Sequence, residues 1–314
     1  MPFRRFAGAA AGALSTLALL SSVAGATPIT YGDFSSLSGL QLNGAARDLI
    51  HTCDPSGNTG CDVVTDGFGR NVLRLTNAGL QAGSAFTLGA VTMNSERSFS
   101  AAFAFRMSDS TGSQLDSDDG LNGADGLVFV VQSNSLGSSA LGNQGGNIGY
   151  RVMANSVGVE FDTWSNGNQD QHSGNHVGID LNGSVVSDPL RVVPFADPGG
   201  GLPFGRMNNG ADWFAWVDYN GALDQLEVRL ANSNVRPIDA YLSKTLNLAL
   251  NIGANAFFGF TSGTGTNSND HDIISFSFQN DYAPFGIAAV PAPGALALMG
   301  LGLFGCTALR RRFL

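Results

Sequence analysis

Short strand-like segments, each broken off by a turn, limit what this chain can fold into. Residues 71–76 (NVLRLT), 98–105 (SFSAAFAF) and 157–164 (VGVEFDTW) alternate apolar and polar side chains. That is the two-residue period of a half-buried strand. Residues 127–131 (LVFVV) are continuously apolar, as in a strand covered on both faces. Segments 213–217, 226–230, 257–261 and 273–278 complete the set. Gly, Asn, Asp and Ser separate them, and Asp218-Tyr219-Asn220-Gly221 has the form of a hairpin turn in which Asn-Gly supplies positive φ. No stretch of the body sustains a 3.6-residue period and no internal repeat is visible. The expected fold class is all-β, a β-sandwich whose two sheets enclose a sizeable core.

Composition excludes several alternatives. Only 13% of the 314 residues are charged and 42 are Gly, whereas a coiled coil or helical array is rich in Glu, Lys and Leu. Lys244 is the sole lysine and the net charge is −9, which argues for no nucleic-acid partner. Apolar runs recur along the whole length, against disorder.

The two ends stand apart from the body. Arg4 and Arg5 precede an apolar stretch from Ala7 to Leu20, and Ala24-Gly25-Ala26 supplies a small-residue cleavage pattern. Residues 1–26 are therefore expected to be a secretory signal peptide. At the other end Pro291-Ala292-Pro293 opens an uncharged run, Gly294 to Leu309, closed by Arg310, Arg311 and Arg312. The run is at or just below the roughly 20 residues that cross a bilayer as a transmembrane helix, and the Arg cluster fits a cytoplasmic flank. Pro, apolar span and Arg cluster together resemble the PEP-CTERM sorting signal of exopolysaccharide-producing Gram-negative bacteria, with Ala292 where that signal usually has Glu. The resemblance implies an exosortase as processing partner, removal of the tail, and delivery to the cell surface or extracellular matrix after transient membrane anchoring. The expected organisation is 1–26 signal peptide, 27–283 body, 284–290 linker and 291–314 sorting or anchor segment. Neither end holds an acid, so all 25 Asp and Glu lie between them; such a surface repels anionic polymers and tolerates divalent cations. Cys53 and Cys61 are the only cysteines between the ends. Export makes a small disulfide loop the expectation, with two free thiols as the alternative.

The segment VGVEFDTWSNGNQDQHSGNHVGIDLNGSVVS (157–187) concentrates chemistry. Glu160 and Asp162, two apart, share one strand face and send Phe161 to the other. Trp164 and Asn166 continue that spacing, and Asp170 and His176 follow across a polar loop. Adjacent carboxylates are costly without a cation between them. Asp162, the Trp164 carbonyl, Asn166 and Asp170 are oxygen donors that suit Ca2+. Glu160, Asp162, Asp170 and His176 suit Mn2+ or another transition metal. The residues alone leave this open, since acidic loops are more often simply solvated. Asp116, Asp118, Asp119 and Gly120 lack the flanking helices and terminal Glu of a calcium loop and are expected to be a solvated acidic loop. His172 is expected in solvent and His271 to be structural.

VEFDTWSN…D…HVGIDLN resembles the metal-binding segment of legume-type (L-type) lectins. ADGLVFVVQ (124–132), WVDYNGALDQLEVRLA (216–231) and FFGFTSGTG…HDIISFSF (257–278) resemble further blocks of that family in its chain order, with weaker echoes at 34–46 and 98–105. The likeness covers nearly all of 27–283. It implies a concanavalin A-like jelly-roll β-sandwich, and the two ligand sets above. It adds Ser187 as the residue that completes the transition-metal shell through water. For carbohydrate it implies Asp125, after a cis Ala124–Asp125 bond, accepting hydrogen bonds from two hydroxyls. Asn166 would donate to the sugar, Trp164 would offer an aromatic face, and Gly145 or Gly146 a backbone N–H. Thr266 and Asn267 lie in the loop that selects the sugar. Dimers are common among relatives, so a homodimer is an open expectation.

The expected function is a non-catalytic lectin, exported, binding a glycan or exopolysaccharide at a metal-organised site. Two alternatives compete. Laminarinase-like glycoside hydrolases share the sandwich and use an E-x-D-x-x-E strand, which Glu160-Phe161-Asp162 begins; residues 163–166 are Thr, Trp, Ser and Asn, so the second glutamate is missing. The other alternative is a structural matrix protein in which sugar binding has lapsed.

Overall fold

The computed structural model describes residues 28–48 and 64–286. The segment expected to be a signal peptide, Cys53, Cys61 and the C-terminal tail lie outside the described residues. In chain order the strands are β1 (Ile29–Tyr31), β2 (Leu40–Gly44), β3 (Val64–Thr65), β4 (Asn71–Thr76), β5 (Ala82–Thr87), β6 (Val91–Thr92), β7 (Phe99–Thr111) and β8 (Gly126–Gln132). They continue as β9 (Ser156–Asp162), β10 (His176–Leu181), β11 (Leu190–Val192), β12 (Asp212–Asn220), β13 (Gln225–Ala231), β14 (Leu242–Thr245), β15 (Asn255–Gly263) and β16 (Ser268–Gln279). Among the described residues no helix is long and apolar enough to cross a membrane.

The strands form two antiparallel sheets. One runs β14-β13-β12-β7-β16-β4-β3, with β1 also on β16; the other runs β11-β10-β9-β8-β15-β5-β2, with β6 also on β15. The alternation read in the sequence decides which side chains meet between them. Phe103 of β7 lies 5.0 Å, centroid to centroid, from Phe260 of β15. Phe105 lies 4.9 Å from Phe161, and Phe129 of β8 lies 6.1 Å from Phe276 of β16. Edge-on and tilted rings at such separations interlock the layers. Phe161 is thus in the core, as its place between two carboxylates requires.

Several boundaries differ from the sequence reading. Strand β9 stops at Asp162, so Trp164 and Asn166 stand on the following loop rather than on the strand face. Asp218, Tyr219 and Asn220 belong to β12, and the hairpin turn lies beyond them; Asn220 pairs with Gln225, and the left-handed residue is Asp224, with φ 50°. Gly221 is instead needed for space: a Cβ there would lie 1.9 Å from the Glu96 carbonyl oxygen. Strand β5 (AGSAFT) has too little β-branched or aromatic character to be legible. It is held by pairing with β2 and β15, and Gly83 lets its backbone approach that of β4, where a Cβ would sit 2.1 Å from the Leu75 oxygen.

Phe129 touches the rings of Phe99, Phe103, Phe260 and Phe276. Phe129→Ala is expected to cost about 3–5 kcal/mol; chemical denaturation monitored by circular dichroism measures it, and a loss near zero would contradict this packing.

Candidate functional site

The site grows from the β9–β10 pair. Register sets His176 opposite Asp162 and Gly178 opposite Glu160, while β8 lies on the other side of β9 with Gly126 opposite Asp162. Because successive side chains alternate, Glu160, Asp162, His176 and Asp180 share the face away from the core. Glu160, Asp162 and His176 are buried and offer ligand atoms within 4.8 Å of one another. His176 Nε2 lies 3.2 Å from Glu160 Oε1, and its Nδ1 lies 3.1 Å from the Ser173 carbonyl. Ser187 Oγ donates to Glu160 Oε1 and lies 2.9 Å from Asp180 Oδ1. Gly178 keeps this space open, since a Cβ would come 1.9 Å from Ser187 Oγ and 2.5 Å from Glu160 Oε1.

A loop closes over the cluster. Trp164 N–H donates to Asp162 Oδ1 at 2.7 Å, and Asn166 N–H donates to Asp170 Oδ2. Asp170 is buried, Trp164 half-buried and Asn166 exposed. The Asn166 amide lies against Gly146, where a Cβ would fall 2.5 Å from it. The N–H of Gly145 is taken by the Thr264 carbonyl at 3.0 Å, which leaves Gly146 as the candidate backbone donor of the two. Asp125 follows a cis Ala124–Asp125 bond. Its carbonyl accepts from Thr163 N–H at 2.7 Å and Thr163 Oγ1 at 2.8 Å. The Asp125 residue is 3% exposed, and its Oδ2 has no hydrogen-bond partner among the described residues. Gly265 stands beside it, its Cβ position 3.5 Å from that oxygen.

Electrostatics ties these groups together. Burial, opposed by the Gly265 N–H and reinforced by Asp170, pushes Asp125 up to about 7. Burial raises Asp162 well above the carboxylate range, and the charges of Asp170, Glu160 and Asp125 add to it. Burial and Glu160 do the same to Asp180. Burial raises Asp170. Burial also opposes Glu160 ionisation, but His176, Asp180 and Ser187 outweigh it and hold Glu160 low. The one ion pair in the cluster, among the described residues, is His176 with Glu160. So many buried carboxylates with a single imidazole suit a divalent cation.

The remaining expected residues divide between the site's edge and the body. Thr266 is exposed beside Gly265. Asn267 is corrected: it is 2% exposed, and its amide binds the Gln114 backbone at 2.7 and 3.2 Å, so it faces the body and not the loop surface. His172 is exposed. His271 is buried, 2.8 Å from Thr76 Oγ1, and burial lowers its pKa to about 3. The acidic loop is also corrected. Asp116 is buried against the site loop, and half-buried Arg206 pairs with Asp119 at 3.0 Å, while Asp118 and Gly120 stay exposed as expected. Sequence reasoning missed Asp180 and Thr163. Asp180 had a signal, since it lies four residues after His176 on one strand face.

A family model described as legume lectin domain matches residues 62–287. The chain belongs to the legume lectin domain family. A second model, the PEP-CTERM protein-sorting motif, matches residues 289–312, and this motif implies export, exosortase processing and surface sorting. The lectin domain is 32% identical over 179 residues to the L-type lectin-domain containing receptor kinase SIT2 of Oryza sativa subsp. japonica, covering 53% of this chain and 26% of that one. It is 28% identical over 254 residues to the L-type lectin-domain containing receptor kinase I.8 of Arabidopsis thaliana, covering 78% of this chain and 36% of that one. The chain thus spans only about a quarter to a third of the length of these relatives. Its fold is that of solved legume lectins. Basic winged bean lectin with Tn-antigen superposes at TM-score 0.56 and 23% identity, covering 80% of this chain and 97% of that one. The Bauhinia forficata lectin in complex with GalNAc gives 0.55 and 23%, covering 81% and 97%.

The raised carboxyls make a signed prediction for this lectin domain without metal. Asp125 binds its proton more tightly folded than unfolded, so stability should fall as pH rises from the ordinary 3.8 to about 7. Asp162 and Asp180 act in the same direction. The raised His176 also loses its contribution on the alkaline side, while Glu160 opposes the trend only near its own acidic range. The thermal midpoint in EDTA is expected to drop between pH 5 and pH 7; a rising midpoint contradicts the burial of these groups.

Proposed function

We propose that this protein is an exported, non-catalytic carbohydrate-binding protein whose saccharide site is organised by bound Ca2+ and a transition metal such as Mn2+. The observation that carries this reading is the convergence of a buried, cation-poor carboxylate cluster with Asp125, Gly146 and Asn166 on one set of loops. The donor set fits such ions. Glu160, Asp162, Asp170 and His176 are three carboxylates and an imidazole, the mixture a transition ion takes. Ser187 beside Glu160 supports that shell. Asp162, the Trp164 carbonyl, Asn166 and Asp170 are all-oxygen, as Ca2+ prefers. When bound, the ions neutralise the carboxylates and hold the loop.

The chain's own residues then meet the sugar. Asp125 accepts hydrogen bonds from two hydroxyls, Asn166 donates its amide N–H, and Gly146 offers its backbone N–H with no side chain in the way. Trp164 is half-buried, leaving part of its ring to pack on the apolar side of a pyranose. Thr266 lies at the rim. The relatives solved with Tn-antigen and GalNAc support a saccharide ligand, and the PEP-CTERM motif supports action at the surface of a Gram-negative cell or in its exopolysaccharide. A hydrolase reading lacks support: the strand ends at Asp162, and no second glutamate follows. Single shallow sites of this kind bind weakly, so useful retention would come from several copies at once.

Glycan-array binding should disappear in EDTA and return when Ca2+ and Mn2+ are added together. Asp125→Ala should weaken sugar binding more than about tenfold, because each hydrogen bond to a charged group contributes roughly 1.5–3 kcal/mol. Sugar binding unaffected by EDTA would refute the metal role, and a folded, metal-loaded protein that binds no glycan would refute the function.

A further inference from the structure

Asp116 lies outside the candidate ion cluster yet reaches the backbone that the calcium assignment requires. Ser165 N–H donates to Asp116 Oδ2 at 2.5 Å. That N–H belongs to the same peptide group as the Trp164 carbonyl. The Trp164–Ser165 bond is not among the cis bonds, and in a trans peptide N–H and C=O point to opposite sides. With the N–H held by Asp116, the carbonyl is aimed away from it. The two neighbouring N–H groups, of Trp164 and Asn166, go to Asp162 and Asp170. Of the three consecutive N–H groups, only that of Ser165 is anchored by a carboxylate outside the proposed ligand set.

Asp116 is itself firmly placed. It is 3% exposed, and Asp118 N–H donates to its Oδ1 at 2.6 Å. Gly174 packs so closely that a Cβ there would lie 2.7 Å from Asp116 Oδ1. Gly174 N–H in turn donates to Asp118 Oδ2 at 3.0 Å. Arg206 Nη2 donates to the Thr163 carbonyl at 3.3 Å while its Nε faces Asp119. The acidic loop therefore grips the start and the end of the segment between Thr163 and Gly174.

We propose that Asp116 is a positioning residue for calcium, fixing the direction of the Trp164 carbonyl and strengthening it as a ligand through the shared peptide group. The proposal rests on the calcium assignment above. A hydrogen bond from an amide to a carboxylate is about twice as strong as one to a neutral acceptor. It also polarises the amide, placing more negative charge on the carbonyl oxygen. Partners of this kind, one bond removed from a metal, change its affinity by about 10–100-fold.

The test is calorimetric titration of Ca2+ into protein preloaded with Mn2+, for wild type, Asp116→Ala, Asp116→Asn and Asp118→Ala. Asp116→Ala is expected to bind Ca2+ about 10–100-fold more weakly, with Mn2+ affinity unchanged. Asp116→Asn, which keeps a neutral acceptor, should fall between it and wild type. Asp118→Ala, which loses the Gly174 anchor but keeps the Ser165 bond, should stay near wild type. Circular dichroism checks folding, and if Asp116→Ala is unfolded the Asp116→Asn comparison decides. Equal Ca2+ affinity in wild type and the Asp116 variants overturns the proposal alone. An equal loss in Asp118→Ala also overturns it, because general loop closure would then be the cause. Wild-type protein that binds no Ca2+ overturns the calcium assignment and this proposal with it.

Discussion

Mutual repulsion among buried carboxylates is the constraint around which this end of the molecule is arranged. Glu160, Asp162, Asp170 and Asp180 sit out of solvent with one imidazole among them, and Asp125 feels the charge of Asp170. Left alone, such groups answer by holding protons, which is the direction in which Asp125, Asp162, Asp170 and Asp180 are shifted. A divalent cation removes the same conflict without protons. Protonation and metal binding are therefore competing solutions to one electrostatic problem.

The sandwich makes that conflict sustainable. Strand pairing fixes β8, β9 and β10 side by side, so the carboxylates cannot simply drift apart. Phe161, between Glu160 and Asp162, is locked against Phe103 and Phe105 of the opposite sheet, and this couples the acidic face to the core. Gly178 and Gly146 supply room where a side chain would fill the carboxylate cluster or the Asn166 contact. On the outside, Asp116, Asp118 and Arg206 brace the loop that the strands do not reach. Rigidity on three sides is what allows a few loop residues to hold a fixed arrangement.

Much of this was visible in the chain itself. The 71–76 segment became β4 without change of boundary, and 127–131 sits inside β8. Phe161 pointed inward as its flanking carboxylates demanded. Strand β10 went unrecognised because its alternation, Val177, Ile179 and Leu181 against His176, Gly178 and Asp180, spans only six residues and is interrupted by a Gly. For the same reason Asp180 was overlooked. The acidic loop looked solvated because nothing local in Asp116-Ser117-Asp118-Asp119 announces Ser165, Gly174 or Arg206, which are distant in sequence.

By itself the sequence determined the layer architecture, the aromatic core and the acidic side chains on one face of β9, since strand period and side-chain chemistry are local properties. Only the tertiary structure decided which candidates lie together. It separated exposed Thr266 from buried Asn267, took the Gly145 N–H for Thr264 and left Gly146, and turned Asp116 from a surface acid into a brace. Those outcomes depend on which backbone N–H groups and which distant side chains are brought together when the sheets close, and pairings across that distance leave no mark on neighbouring residues.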